Sequence, residues 1–125
     1  MLASDKGLWN QAASHFRKTI EIDPNYSKAY CNLGIALYKT GDLKEAVENY
    51  RRAIEIDPKN KEAYFNRGNA LKKTGDLKGA VENYRMAIEI DPKYKNAYHN
   101  MFLLIEAKGS AEEFLEVMKF VEELV

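Results

Sequence analysis

The stretch GDLKEAVENYRRAIEIDP at residues 41–58 returns almost unchanged as GDLKGAVENYRMAIEIDP at residues 75–92. The two copies begin 34 residues apart, and the same ending occurs 34 residues earlier as TIEIDP at residues 19–24. A fixed period of this length is typical of a solenoid, in which each repeat packs on its neighbours. The repeat therefore predicts the fold before any single residue does.

Each period predicts two helices joined by a tight turn, because apolar residues recur at spacings of three and four in both halves. We expect Gly41 to adopt the left-handed conformation that ends a helix. Asp42 is expected to cap the next helix, with Glu45 completing a capping box. Asp57 and Pro58 should end that helix, because proline disfavours helical geometry in the residue before it.

This pattern resembles the tetratricopeptide repeat. The matching aromatic, leucine, glycine, alanine and proline positions are Tyr30, Leu33, Gly34, Leu37, Ala46, Tyr50 and Pro58, then Tyr64, Gly68, Leu71, Ala80, Tyr84 and Pro92. Arg67 stands where the family has leucine. The resemblance implies an all-α fold, a right-handed α-solenoid of antiparallel helix pairs. We expect Gly34 to face Ala46, and its equivalents likewise, so that paired helices approach closely.

The period divides the chain into one tetratricopeptide-like domain, residues 1–125. It would contain a partial repeat at 1–24, full repeats at 25–58 and 59–92, and a divergent terminal repeat at 93–125.

The first repeat is predicted to be incomplete. Residues 1–6 correspond to the end of a first helix, and Gly7 corresponds to the turn glycines Gly41 and Gly75. A chain that opens halfway through a repeat fits a fragment of a longer array. It also fits a natural short chain with an exposed helix face.

The terminal repeat has lost its small residues. Phe102 stands where the full repeats have glycine, and Phe114 stands where they have alanine. Two rings at these positions cannot leave the helix spacing unchanged. Ser110 and Glu113 predict a capping box for the last helix.

Composition limits the possible functions. The 125 residues include 19 Lys plus Arg and 19 Asp plus Glu, so the formal net charge is zero, which argues against a nucleic-acid binder with a basic face. No apolar run reaches the roughly 18 residues of a membrane span, and the opening lacks the regions of a signal peptide. A single cysteine, Cys31, excludes an internal disulfide and favours an intracellular, cytoplasmic protein.

No catalytic constellation is apparent. His15 and His99 lie more than two repeats apart, and neither Cys-x-x-Cys nor His-Glu-x-x-His occurs. Cys31 has no base at a usable spacing. We therefore predict no enzymatic activity, no metal site and no cofactor.

The functional signal is a row of asparagines on the first helix of each repeat: Asn32, Asn66 and Asn100, 34 residues apart. Asparagine is a mediocre helix former, but its amide can hydrogen-bond a peptide backbone. The row resembles the asparagine ladder in the tetratricopeptide superhelix of O-GlcNAc transferase. The chain is therefore predicted to be a protein–protein interaction scaffold that binds an extended peptide segment of a partner in a concave groove. Copying between near-identical repeats could also explain the row, although the third repeat changed its core and kept Asn100.

Other residues are predicted to border this groove. The peptide-binding candidates besides the three asparagines are Asn69, Phe65, Lys28, Lys73 and His99. The family's clamp for a chaperone-tail carboxylate would place Cys31 and Ile35 at its first Lys and Asn, and Asn96 and Asn100 at its second Lys and Arg. Only Asn66 matches, and the charges that would hold a carboxylate are missing, so this mode is disfavoured.

The alternative hypothesis is an assembly module, a homo-oligomer that forms through exposed terminal helices. An interrupted solenoid end leaves apolar surface, which often marks a contact site. The candidate self-association residues are Trp9, Phe16, Val117, Phe120 and Val125. Contact between unlike ends would give a ring or a filament, and contact between like ends a two-fold dimer.

Overall fold

The computed structural model describes residues 3–108 and 110–124, which form seven α-helices and no strand. The helices are α1 (Ala3–Ile22), α2 (Ser27–Thr40), α3 (Leu43–Ile56), α4 (Lys61–Thr74), α5 (Leu77–Ile90), α6 (Lys95–Lys108) and α7 (Ala111–Leu124). Consecutive helices pack against each other along the chain, and α2 also contacts α4. The expected all-α helical-repeat solenoid is confirmed.

Glycine turns join the two helices of each full repeat. Gly41 and Gly75 have φ values of 92° and 93°, the left-handed conformation that ends α2 and α4. In the first turn the Asp42 N–H donates to the Leu37 carbonyl at 2.8 Å, which satisfies one of the last carbonyls of α2. The turn position was therefore predicted correctly.

The expected capping box at α3 is absent. The Asp42 carboxylate accepts from the Thr40 hydroxyl at 2.9 Å and makes no capping hydrogen bond. Glu45 pairs instead with Arg17 of α1 at 2.9 Å, a contact between repeats that periodicity alone does not reveal. In the next repeat the Asp76 carboxylate does cap its helix, accepting from the Gly79 N–H at 2.9 Å.

Tyrosines fill the centre of each full repeat. Tyr50 is 1% exposed and Tyr84 is completely buried. The first atoms that a β-carbon on Gly34 would meet belong to the Tyr50 ring and not, as expected, to Ala46. Ala46 is itself fully buried, so small residues still line the contact between α2 and α3.

The N-terminal end differs from the expectation. Helix α1 runs without interruption through Gly7, whereas the repeat pattern predicts a turn there. A turn sacrifices helical hydrogen bonds, and tertiary packing has to compensate for them. A β-carbon on Gly7 would have no neighbour within 4 Å, so no such packing exists at this position.

The C-terminal end corrects a second expectation. Val117 and Phe120 are 2% and 8% exposed and pack in the core that contains Tyr84, so the prediction that they face outward is wrong. The Arg85 guanidinium lies 4.6 Å from the centre of the Phe120 ring. Helix α7 carries apolar residues on more than one side, and the exposed ones are Phe114 and Leu115 instead. Val125 lies outside the described residues.

The start of α7 follows the sequence prediction. The Glu113 N–H donates to the Ser110 hydroxyl oxygen at 3.2 Å, as in a capping box. The rings of Phe102 and Phe114 meet edge to face, with their centres 6.4 Å apart. The two phenylalanines thus occupy together the place of the glycine and alanine of the full repeats.

Candidate functional site: an asparagine-lined groove

The groove is the surface formed by α2, α4 and α6, the first helices of three successive repeats. Asn32 is exposed on α2, and Asn66 and Asn100 are half-buried on α4 and α6. The Asn66 Nδ2 donates to the Cys31 Sγ at 4.0 Å, and the Asn100 Nδ2 donates to the Asn69 Oδ1 at 2.9 Å. Both amide groups therefore point their NH₂ toward the preceding repeat.

Asn69 is the most connected side chain of the groove. Its Oδ1 accepts from the Tyr84 hydroxyl at 2.5 Å as well as from Asn100. Burial raises the pKa of Tyr84 to about 12, and hydrogen bonding by the Asn100 amide opposes that rise. The phenol therefore stays protonated at neutral pH and donates. This link between Asn69 and Tyr84 was not predicted, because it depends on how close α4 and α5 approach.

A cleft of about 570 Å³ opens between α2 and α4. Its lining residues are Ser27, Lys28, Cys31, Asn32, Ile35, Asp57, Lys59, Asn60, Glu62 and Asn66. Two lysines and two acidic residues balance in charge, and Cys31 and Ile35 supply apolar surface. The cleft therefore offers amide groups and apolar surface with no excess of either charge.

The linkers before α2 and α4 contribute residues to the cleft that the sequence analysis missed. Asn60 Oδ1 caps α4 by accepting from the Ala63 N–H at 3.1 Å, and its Nδ2 donates to the Ser27 hydroxyl at 3.4 Å. Ser27 in turn donates to the Ala53 carbonyl at 2.9 Å. The available signal was the polar residue before each first helix, since such residues favour N-caps.

Cys31 is unsuited to nucleophilic chemistry. The side chain is 6% exposed, and burial raises the pKa of its thiol from 9.0 to about 11, against the opposing hydrogen bond from Asn66. The thiol is therefore protonated at neutral pH, while the thiolate is the reactive form.

Two further features of the described residues concern function. Their His, Cys, Asp and Glu side chains form no group of three that could hold a metal ion. None of their helices combines the length and the apolar character that crossing a membrane requires.

The other predicted groove residues occupy different settings. Lys28 is exposed at the cleft and His99 is exposed on α6. The Lys73 ammonium lies 5.4 Å from the centre of the Tyr38 ring. Phe65 is half-buried, and its ring packs at 5.2 Å from the ring of Tyr94. Part of the Phe65 surface is therefore used between repeats.

Among the predicted self-association residues, Trp9 and Phe16 are half-buried and pack on the first core. A more open apolar surface lies nearby: Leu8 is 62% exposed, and a shallow pocket of about 410 Å³ lies beside it, lined by Asp5, Leu8, Trp9 and Ala12.

Comparison with known families agrees with the repeat geometry. Tetratricopeptide repeat profiles match residues 15–48 and 62–94, and a profile described as TPR repeat matches residues 36–75. The chain belongs to the tetratricopeptide repeat family. Its fold is therefore that of a protein-interaction scaffold. Among curated protein sequences, none matches the chain significantly.

Several solved tetratricopeptide structures share the fold. A crystal structure of MamA is 29% identical with a TM-score of 0.82, covering 97% of this chain and 71% of MamA. The TPR domain of Arabidopsis OM64 is 27% identical with a TM-score of 0.78, covering 84% of this chain and 87% of that domain. The first TPR of Spaghetti (RPAP3), bound to the HSP90 peptide SRMEEVD, is 21% identical with a TM-score of 0.80, covering 85% and 84% of the two chains. At this identity the last likeness concerns the fold alone.

Proposed function

We propose that this tetratricopeptide protein binds an extended peptide segment of a partner protein in the groove, mainly through the asparagine ladder of Asn32, Asn66 and Asn100. The amides would hydrogen-bond the peptide backbone, which every extended segment presents. The apolar surface of the cleft would add side-chain contacts. Peptide binding by a protein of the same fold, as in the Spaghetti complex, is compatible with this proposal.

The observation that carries the proposal is the orientation of two of the amides. The NH₂ groups of Asn66 and Asn100 donate toward the preceding repeat, to Cys31 and to Asn69. Each side chain is half-buried, and neither caps a helix. Their carbonyl oxygens are thus left to accept from the N–H groups of a ligand backbone.

The test is selection of peptides from a random dodecapeptide library displayed on phage. The unmodified protein should enrich specific peptides. A variant with Asn32→Ala, Asn66→Ala and Asn100→Ala should lose most of the binding of synthetic versions of those peptides. Three lost hydrogen bonds of roughly 1 kcal/mol each would weaken binding by about two orders of magnitude.

A matched control changes asparagines on helices that do not line the groove. Asn10 of α1 is exposed, and Asn49 of α3 donates to the Glu45 carbonyl of its own helix. The variant with Asn10→Ala and Asn49→Ala should keep full peptide affinity. Equal losses in both variants, or no enrichment by the unmodified protein, would contradict the proposal.

Self-association is the second candidate function, favoured by apolar side chains at both ends. Leu8 near the start of α1 and Leu115 on α7 are 62% and 66% exposed. The side chains of α7 are predominantly acidic, whereas those of α1 carry both charges. Light scattering should show a mass that rises with concentration and falls on Leu115→Asp. A monomeric mass at millimolar concentration would exclude this candidate.

A further inference from the structure

A second row of side chains runs along the groove beside the asparagine ladder. Ile35, Asn69 and Leu103 lie three residues beyond Asn32, Asn66 and Asn100, one turn further along the same helices. Ile35 and Asn69 are half-buried, and Leu103 is 52% exposed. The row therefore reads apolar, polar, apolar from α2 to α6.

The polar member presents a donor to the groove. Asn69 Oδ1 already accepts from Tyr84 and Asn100. Its Nδ2 has no acceptor among the described residues, and it is not among their buried unsatisfied atoms. A ligand group opposite Asn69 would thus gain a hydrogen bond only if it carries an acceptor oxygen.

The spacing of the row selects one backbone conformation. Packed helices lie about 8–10 Å apart. A polyproline II segment has three residues per turn and rises about 3.1 Å per residue, so side chains three apart lie on one side about 9 Å from each other. A β-strand brings side chains to one side every second residue, at about 6.6 or 13 Å. The polyproline II backbone also makes no internal hydrogen bonds, so its N–H groups are available to the ladder.

We infer that the groove selects a segment in the polyproline II conformation with an apolar residue, an acceptor residue and a second apolar residue at three-residue spacing. The acceptor residue is Asn, Gln, Ser, Thr, Asp or Glu, and it lies opposite Asn69, with the apolar residues at Ile35 and Leu103. The inference rests on the proposed peptide binding and adds the sequence class of the ligand.

The repeats supply the decisive variant. Ile35 and Asn69 occupy equivalent positions, and Tyr50 beside Ile35 is as well buried as Tyr84 beside Asn69. Exchanging the two residues in the double variant Ile35→Asn and Asn69→Ile should therefore preserve the fold, which circular dichroism checks. Ile35→Asn alone is the second variant, and it leaves the hydrogen bonds of Asn69 intact.

Phage selection with the random dodecapeptide library provides the readout. The unmodified protein should enrich apolar-x-x-acceptor-x-x-apolar peptides. The exchanged variant should enrich acceptor-x-x-apolar-x-x-apolar peptides or the reverse order, and Ile35→Asn alone should add a second acceptor. Synthetic peptides of the first two classes should reverse a roughly tenfold preference between the unmodified and exchanged proteins, as one hydrogen bond permits.

The possible failures are distinguishable. If the unmodified protein enriches no peptides, both the proposed function and this inference fail. If peptides are enriched and depend on the asparagine ladder, but neither variant changes their pattern, the inference alone is overturned.

Discussion

The ring of Tyr50 lies so close to Gly34 that a β-carbon on the glycine would stand 2.5 Å from Cε1 and 2.7 Å from Cδ1. Gly68 and Tyr84 repeat the relationship, with the nearest ring carbon 2.7 Å from the β-carbon position. Each full repeat therefore uses a glycine to admit a buried tyrosine between its two helices.

We expect Gly34→Ala to lower the free energy of unfolding by about 1–3 kcal/mol, because the added carbon overpacks against the Tyr50 ring. Gly7→Ala is the matched control. Gly7 also lies within a helix but has open space around it, so alanine there should raise stability by up to about 1 kcal/mol. Urea denaturation measures both. Equal stabilisation by the two substitutions would show that the Tyr50 ring yields without cost.

The two tyrosines should differ in the value of their hydroxyl groups. Tyr84→Phe removes the hydrogen bond to Asn69 and should cost about 0.5–1.5 kcal/mol. The Tyr50 hydroxyl has no hydrogen-bond partner among the described residues, so Tyr50→Phe should cost less. Tyr84→Ala should cost about 3–5 kcal/mol, as for a large core aromatic residue. Thermal and urea unfolding of the three variants provide the comparison, and a larger loss for Tyr50→Phe than for Tyr84→Phe would contradict it.

The sequence predicted those parts of the fold that repeat. Period and capping residues located the helices from α2 onward, the glycine turns and the buried Tyr50 and Tyr84. The ends broke the pattern: a turn at Gly7 required a packing partner that the described residues do not supply, and α7 buries Val117 and Phe120.

For the site, the sequence identified the ladder positions and the candidate Asn69, because these depend on register alone. It did not reveal that Tyr84 and Asn100 both donate to Asn69 Oδ1. Such contacts depend on interhelical distances and side-chain rotamers, which a repeat period does not specify. The use of Ser27 and Asn60 at the cleft was missed for the same reason.

Arg67 is the departure from the repeat pattern with the clearest energetic consequence. Its Nε is buried without a partner, while Nη1 donates to Asn83 at 3.3 Å. Arg67→Leu reproduces Leu33 of the preceding repeat and removes the unsatisfied donor. We expect it to stabilise the protein by about 1–3 kcal/mol in urea unfolding. Arg67→Ala is the control, because it removes the same donor but leaves a cavity. A lower stability of Arg67→Leu would mean that the single bond to Asn83 outweighs the buried Nε.

The buried thiol of Cys31 should make stability depend on alkaline pH. The unfolded thiol loses its proton near pH 9.0, whereas the folded thiol keeps it up to about pH 11. Because the folded pKa is the higher one, this contribution is complete below pH 9 and is lost as the pH rises toward 11. The loss should amount to at most about 2–3 kcal/mol. Cys31→Ser, which does not titrate in this range, should show a shallower decline between pH 9 and 10, below the range in which the tyrosines titrate.

The last helix provides a comparison between a buried and an exposed apolar residue. Phe120 is 8% exposed and lies under Arg85, while Leu115 is 66% exposed on the same helix. Phe120→Ala should therefore weaken the attachment of α7 to the second core and speed hydrogen exchange of the α7 amides by at least about tenfold. The reason is that a terminal helix opens locally when it loses a buried aromatic residue.

Leu115→Ala is the control for that experiment and should leave the exchange rates of α7 nearly unchanged, since it removes little buried surface. The amides of α2 and α3 report on global unfolding and should be affected less than those of α7 in both variants. Light scattering of the same two variants separates attachment from association. If Phe120 packs only within its own chain, Phe120→Ala acts on exchange at dilute concentration. An effect of Phe120→Ala that appears only at concentrations where the protein associates would instead place Phe120 in a contact between copies.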